Sequence, residues 1–100
     1  MKKIVLLCAA GMSTSMLVNK MKDYAEEIDL EASIDAYPIS EATDHASDAD
    51  AILLGPQVRF QEAKVKEMFP NKNVSTIDMR DYGTMNGKAV LEATLKMIGE

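Results

Sequence analysis

The sequence predicts an α/β domain spanning residues 1–100: a three-layer sandwich built on a four-stranded parallel sheet of order 2-1-3-4. Three observations carry this. Lys3 to Cys8 and Ala51 to Leu54 are short unbroken apolar runs, the pattern of strands buried on both faces. Extended runs alternate along the chain with segments of helical periodicity, as parallel strands joined by crossover helices require. Two further extended segments read as edges, which leaves the centre to the two apolar strands. With right-handed crossovers the simplest order is then 2-1-3-4.

Taken in order, Lys3 to Cys8 is the first strand. A helix follows from Met16, its stripe formed by Met16/Leu17, Met21, Tyr24/Ala25 and Ile28 and its other side by Lys20, Lys22, Asp23 and Glu26/Glu27. In Leu30 to Ala36, Leu30, Ala32, Ile34 and Ala36 alternate with Glu31, Ser33 and Asp35, the period of a half-exposed edge strand. Ile39 to Ser47 reads as a short, irregular helix with Ser40 as its candidate cap. Ala51 to Leu54 is the third strand, closed by Gly55-Pro56. Val58, Val65 and Met68/Phe69 form the next helical stripe, which Pro70-Asn71 stops. Val74 to Ile77 is short and mixed, as suits the other edge. Asn86 caps a last helix carrying Val90/Leu91, Thr94/Leu95 and Ile98.

Composition narrows the function. A chain of 100 residues, 47% of them hydrophobic, fits one globular domain. Its apolar runs are too short to span a bilayer. MKKIVLLCAAG has the charge and apolar order of a signal peptide. Its apolar run is at the lower limit, however, and a charged amphipathic stretch follows, so the expectation is a separate cytoplasmic subunit. A net charge of −5 with no Lys/Arg cluster argues against a nucleic-acid partner. With one Cys and one His, neither a disulfide nor a zinc site can be written, and no metal or cofactor is called for. There is no GxGxxG or GxxxxGK[ST], so nucleotide binding has no support.

The chemistry concentrates in CAAGMSTS, Cys8 to Ser15. In order 2-1-3-4 the chain reverses direction between strands 1 and 3, and ligands bind beyond the carboxyl ends of strands at such a point. Cys8 closes strand 1 there, beside Gly55-Pro56-Gln57. The loop feeds a helix N-terminus, where free amides and the positive dipole end favour an anion. Ala9, Ala10 and Gly11 are small enough to let backbone amides turn inward, and Ser13, Thr14 and Ser15 add hydroxyls. The same setting stabilises a thiolate over a thiol. Against this stands the ordinary role of a lone cysteine as a small buried hydrophobe. His45, in a polar stretch with Asp44 and Asp48, reads as a surface histidine, and the eight Met residues as mostly helix-stripe core. Met12 is the exception, placed beside the thiol where a Met suits a surface that repacks against partners. A thiol phosphatase also opens an anion loop with cysteine, but it needs a fixed cation on the transferring phosphoryl group and an acid for the leaving group. Cys8 to Ser15 contains no Arg or Lys. Arg59 and Arg80 approach only from other loops, and Asp78 and Asp81 are the available acids. Three readings remain: phosphoryl carrier, small cysteine phosphatase, and a binding module with a buried Cys8.

IVLLCAAGMSTSMLVNKMK strongly resembles the start of the IIB components of the lactose/cellobiose (and chitobiose) class of the phosphoenolpyruvate-dependent sugar phosphotransferase system. ILLGPQVRF, FPNKNV and IDMRDYGTMNGKAVL extend the resemblance over essentially the whole chain. The resemblance implies the fold shared by IIB components and low-molecular-weight tyrosine phosphatases. It implies that Cys8 accepts a phosphoryl group from a phosphohistidine of a IIA protein and passes it to a β-linked disaccharide at the membrane IIC transporter. Ala9, Ala10, Gly11, Met12, Ser13, Thr14 and Ser15 would hold the phosphate. The partner-docking face would take in this loop, the start of the first helix and Pro56-Gln57; Met12, Leu17, Pro56, Gln57 and Tyr82 are its candidates, with core packing standing as an equal reading for Leu17 and Tyr82.

Overall fold

The computed structural model describes residues 2–9 and 14–99. Strand β1 (Lys2–Cys8) pairs in parallel with β2 (Ala32–Pro38) on one side and with β3 (Ala51–Leu54) on the other. β4 (Asn73–Thr76) pairs with the far side of β3. The order is therefore β2-β1-β3-β4, as the exposure pattern requires. β3 has the bounds read from the sequence, because a four-residue apolar run leaves no other register.

The pleat divides the core in two. Ile4 and Leu6 of β1 face the same side as Leu53 of β3 and Ile34 of β2. They pack there against Leu17, Val18 and Met21 of α1 (Thr14–Glu27) and Val90 and Leu91 of α5 (Gly87–Met97). Val5 and Leu7 face the other side with Ile52 and Leu54, against Ala42 and Ala46 around α2 (Ala42–His45) and Val65 and Phe69 around α3 (Glu62–Met68). Each large aliphatic side chain removed from water contributes about 1.5–3 kcal/mol, so these two layers dominate stability. Parity then sends Cys8, two residues beyond Leu6, toward the α1 side.

Helix α1 starts at Thr14, two residues earlier than the periodicity indicates. The buried stripe is Thr14, Leu17/Val18, Met21 and Ala25; it keeps Leu17, Met21 and Ala25 of the expected set, adds Thr14 and Val18, and leaves Met16 and Ile28 outside. Met68 and Met79 are also exposed, so the methionines are less of a core set than their spacing implies. Where α5 crosses α1, a Cβ on Gly87 would lie 2.5–2.6 Å from Lys20 and Met21 backbone atoms; glycine is what permits this approach. Asn86 caps α5 as expected, its Oδ1 accepting from Ala89 N–H at 3.0 Å. Ser40 caps nothing: it lies inside a 3-10 turn, Ile39–Glu41, that runs into α2. The segment before α3 is likewise a 3-10 turn, Pro56–Gln61. A further short helix, α4 (Met79–Gly83), follows β4. His45 is half-buried, stacked on Tyr37 at 3.8 Å with Nε2 3.2 Å from Glu41 Oε1. No helix among the described residues is long and apolar enough to cross a membrane.

Candidate functional site

Cys8 is the last residue of β1, opposite Pro38 in the β2 register, and is 6% exposed. The chain leaving β3 runs alongside it. Gly55 N–H donates to Leu7 O at 2.8 Å, continuing the β1–β3 ladder one step past the strand. A Cβ on Gly55 would lie 3.4 Å from Cys8 Cβ and 2.8 Å from Gln57 Oε1. The absent side chain therefore brings both the turn and the Gln57 amide up to the cysteine.

From the other side comes Thr14, the first residue of α1. Its hydroxyl donates to Cys8 Sγ at 3.0 Å, and the residue is 2% exposed. Helix N-terminal residues leave their amides without intrahelical partners, so the thiol faces the end of α1 that favours negative charge. Thr14 Oγ1 also lies 3.3 Å from the Tyr82 hydroxyl. Tyr82 comes from α4, whose start is fixed by Asp78: one carboxylate oxygen accepts from the Arg80 and Asp81 N–H groups at 2.9 and 3.1 Å.

This geometry sorts the residues expected from sequence. Cys8 and Thr14 meet. Ala9 is half-buried against the β1/α2/α3 layer, and Ser15 is exposed on the first turn of α1. Ala10, Gly11, Met12 and Ser13 lie outside the described residues. Among the docking candidates, only Gln57 is an exposed described residue. Leu17 is wholly buried, on the same helix face as Met21 and Ala25. Pro56 is buried under the turn it opens. Tyr82 is also buried, and its ring packs in the core layer with Leu17 and Leu91. Only its hydroxyl reaches the site, so its place is behind Cys8 rather than on a partner face. Of the acids that a phosphatase would need, Asp78 has its carboxylate engaged as a helix cap. Arg59 holds the Pro56 carbonyl with one guanidinium nitrogen at 2.9 Å.

Sequence periodicity missed three exposed apolar side chains at this end of the sheet: Met16 at 57%, Phe60 at 77% and Met79 at 62%. They lie in the first turns that leave β1, β3 and β4 at their carboxyl ends. The available signal was helix phase, which depends on where each short element begins.

Relatives match the chain along nearly its whole length. The family model described as PTS system, lactose/cellobiose-specific IIB subunit matches residues 3–93. The oligo-beta-mannoside-specific EIIB component of Bacillus subtilis (strain 168) is 43% identical over 100 residues, spanning 98% of this chain and 97% of that protein. The galactose-specific EIIB component of Lactococcus lactis subsp. cremoris (strain MG1363) is 40% identical over 99 residues, 92% of each chain. The solution structure of a cellobiose-specific phosphotransferase IIB component from Borrelia burgdorferi superposes with a TM-score of 0.81 at 35% identity, over 97% of this chain and 91% of that one. Matched by the family model over residues 3–93 and by these relatives over nearly its whole length, the chain belongs to the lactose/cellobiose-specific IIB family of the sugar phosphotransferase system, whose members act as phosphotransferases in sugar uptake.

Proposed function

We propose that this chain carries phosphoryl groups on Cys8, accepting each from a phosphohistidine of a cognate IIA protein and passing it to a β-linked disaccharide entering through a membrane IIC transporter. The observation that carries the reading is the thiol at the end of β1, met by the hydroxyl of the first α1 residue at 3.0 Å. It sits in a stretch, Cys8 to Asn19, with no charged side chain. Such a site can receive a dianion without first displacing a resident carboxylate.

The steps balance simply. Thiolate Sγ attacks phosphorus in line with the histidine nitrogen; the S–P bond forms as the N–P bond breaks, and the imidazole leaves with the electron pair. The Thr14 hydroxyl and the amides of Ala9 to Ser15, with the hydroxyls of Ser13 and Ser15, take up phosphoryl charge. A sugar hydroxyl oxygen then attacks phosphorus, its proton goes to a base on the transporter side, and Cys8 is released as thiolate. The absence of Arg or Lys from Cys8 to Ser15 favours carriage over hydrolysis, since water attack needs the fixed cation that this loop lacks.

Residues 1–100 work as one IIB domain in the cytoplasm, meeting IIC transiently at the membrane. Met12 and Gln57, together with the exposed Met16, Phe60 and Met79, form the docking face. An apolar surface of modest area suits a carrier that must release each partner quickly. For the sugar, the relatives named for oligo-beta-mannoside and cellobiose favour a β-linked glycoside; cellobiose, chitobiose and lactose are the candidates.

Intact mass tests the reading. Incubation with phosphoenolpyruvate, the general phosphotransferase proteins and a lactose/cellobiose-class IIA adds one phosphoryl group to the wild type and none to Cys8→Ser. The group persists until sugar and IIC are supplied. Phosphorylation of Cys8→Ser, or rapid loss to water without IIC, would contradict it.

A further inference from the structure

Among the described residues two polar side chains are classed with the core, Thr14 and Thr94, each 2% exposed. Thr94 donates its hydroxyl to the Val90 carbonyl of its own helix at 2.8 Å, the usual solution for a buried helical threonine. Thr14 uses its hydroxyl differently, on Cys8 Sγ at 3.0 Å and on the Tyr82 hydroxyl at 3.3 Å. A threonine hydroxyl has one proton. With that proton directed to Sγ, the Thr14 oxygen can only accept from Tyr82, so the phenol must be the donor. The hydrogen bonds then run one way, from Tyr82 in α4 through Thr14 in α1 to the thiol at the end of β1.

Direction has a consequence. A donor acting on a hydroxyl polarises it and strengthens the bond that hydroxyl makes in turn. It also stops the hydroxyl from rotating away. The Tyr82 ring belongs to the core layer that also holds Leu17, Val90 and Leu91, a place phenylalanine would fill equally well. What the hydroxyl adds is its bond to Thr14. The charged side chains on the neighbouring helices are Lys20, Lys22, Asp23, Glu26 and Glu27 on α1, Asp78, Arg80 and Asp81 at α4, and Lys88, Glu92 and Lys96 on α5, with Arg59 beyond β3. They are exposed or half-exposed and so screened by water.

We propose that Tyr82 is a positioning residue for Cys8: its phenol holds the Thr14 hydroxyl with the proton aimed at Sγ and thereby favours the attacking thiolate. The proposal rests on the reading of Cys8 as the phosphoryl acceptor, and it extends to the second state of the cycle. Once sulfur is bonded to phosphorus it carries no negative charge, and the phosphoryl oxygens become the stronger acceptors. The Thr14 hydroxyl, still receiving from Tyr82, turns its proton to one of them. No proton changes owner; one hydrogen bond changes acceptor.

The test follows thiolate ultraviolet absorbance and the rate of iodoacetamide alkylation against pH, on purified protein without partners. Tyr82→Phe moves the midpoint of thiolate formation up by about half a pH unit, and Thr14→Val by about one unit. Thr14→Ser, which keeps the hydroxyl, recovers most of the shift. In the Thr14→Val background Tyr82→Phe adds nothing, because it acts only through Thr14. A Tyr82→Phe midpoint equal to wild type would overturn the proposal, as would a Tyr82→Phe shift that persists in full beside Thr14→Val. If Thr14→Val fails to fold, Thr14→Ala removes the same hydroxyl and takes its place in the comparison. No phosphoryl transfer enters these measurements. A shifted midpoint in a protein that takes up no phosphoryl group would therefore count against the carrier function while leaving the positioning of the thiolate by Tyr82 and Thr14 in place.

Discussion

At the amino ends of the strands the chain is held by fixed charge. Lys3 pairs with Asp48, its backbone N–H donates to the Asp50 carboxylate at 2.8 Å, and Asn73 donates to the Asp50 carbonyl at 3.3 Å. Hydrogen bonding to Lys3 holds the Asp48 carboxyl below the usual carboxylate range. At the carboxyl ends of the same strands the contacts around Cys8 come from a hydroxyl, a glycine turn and an amide side chain. One end has its charges already matched within the protein. The other leaves room for a charge that arrives with a partner and leaves with a substrate. The same parallel sheet supports both because all four strands run one way, which collects every strand-to-helix loop at a single end.

The largest effect that would sharpen this contrast belongs to Leu17. Because it is wholly buried under the carboxyl end, Leu17→Ala costs about 3 kcal/mol in urea denaturation, from lost transfer energy and the cavity left behind. Unchanged stability with slowed transfer from IIA would instead make Leu17 part of the docking face. Next in size is Phe60, exposed at 77%. Phe60→Ser leaves the denaturation midpoint nearly unaltered and raises KM for phospho-IIA about tenfold at constant kcat, the size expected of an apolar anchor near a contact centre. Equal KM values would remove the apolar rim from the account.

The smallest effect concerns Glu62, a carboxylate that is tied down at the carboxyl end. It accepts from the Thr76 hydroxyl at 2.7 Å, and that bond, opposed by partial burial and aided by Lys66, lowers its pKa from the ordinary 4.5. A depressed carboxylate contributes stability above its unfolded-state value and loses it as pH falls through the folded value. Thr76→Val should therefore cost about a few tenths of a kcal/mol near neutrality, the difference from wild type fading as acid protonates Glu62 below the ordinary carboxylate range. A difference that grows on acidification would reverse the assignment.

How much of this the sequence disclosed depended on how local each cause was. The two central strands were legible because an apolar run between charged and glycine-proline boundaries admits one reading. Sheet order followed from which strands had a polar face. Asn86 was legible as a cap because its partner, Ala89, is three residues away. The start of α1 was not, because Met16 is apolar and imitates the core stripe; of the Met16/Leu17 pair only Leu17 is interior, the packing reading that its place in the stripe allowed. Helix α4 is five residues long and depends on the Asp78 cap, too short for periodicity to register. The Tyr82–Thr14 contact joins residues 68 positions apart and exists only once α4 and α1 are packed on the same face of the sheet.

The contrast between the two ends is tested most directly by mapping backbone amide chemical shifts before and after phosphorylation by IIA. The account predicts that changes concentrate at Ala9 to Ser15, Gly55 to Gln57 and Tyr82, while Lys3, Asp48, Asp50 and Asn73 keep their positions. Changes centred on the amino ends, or an unperturbed loop after Cys8 in a protein that has gained a phosphoryl group, would contradict it.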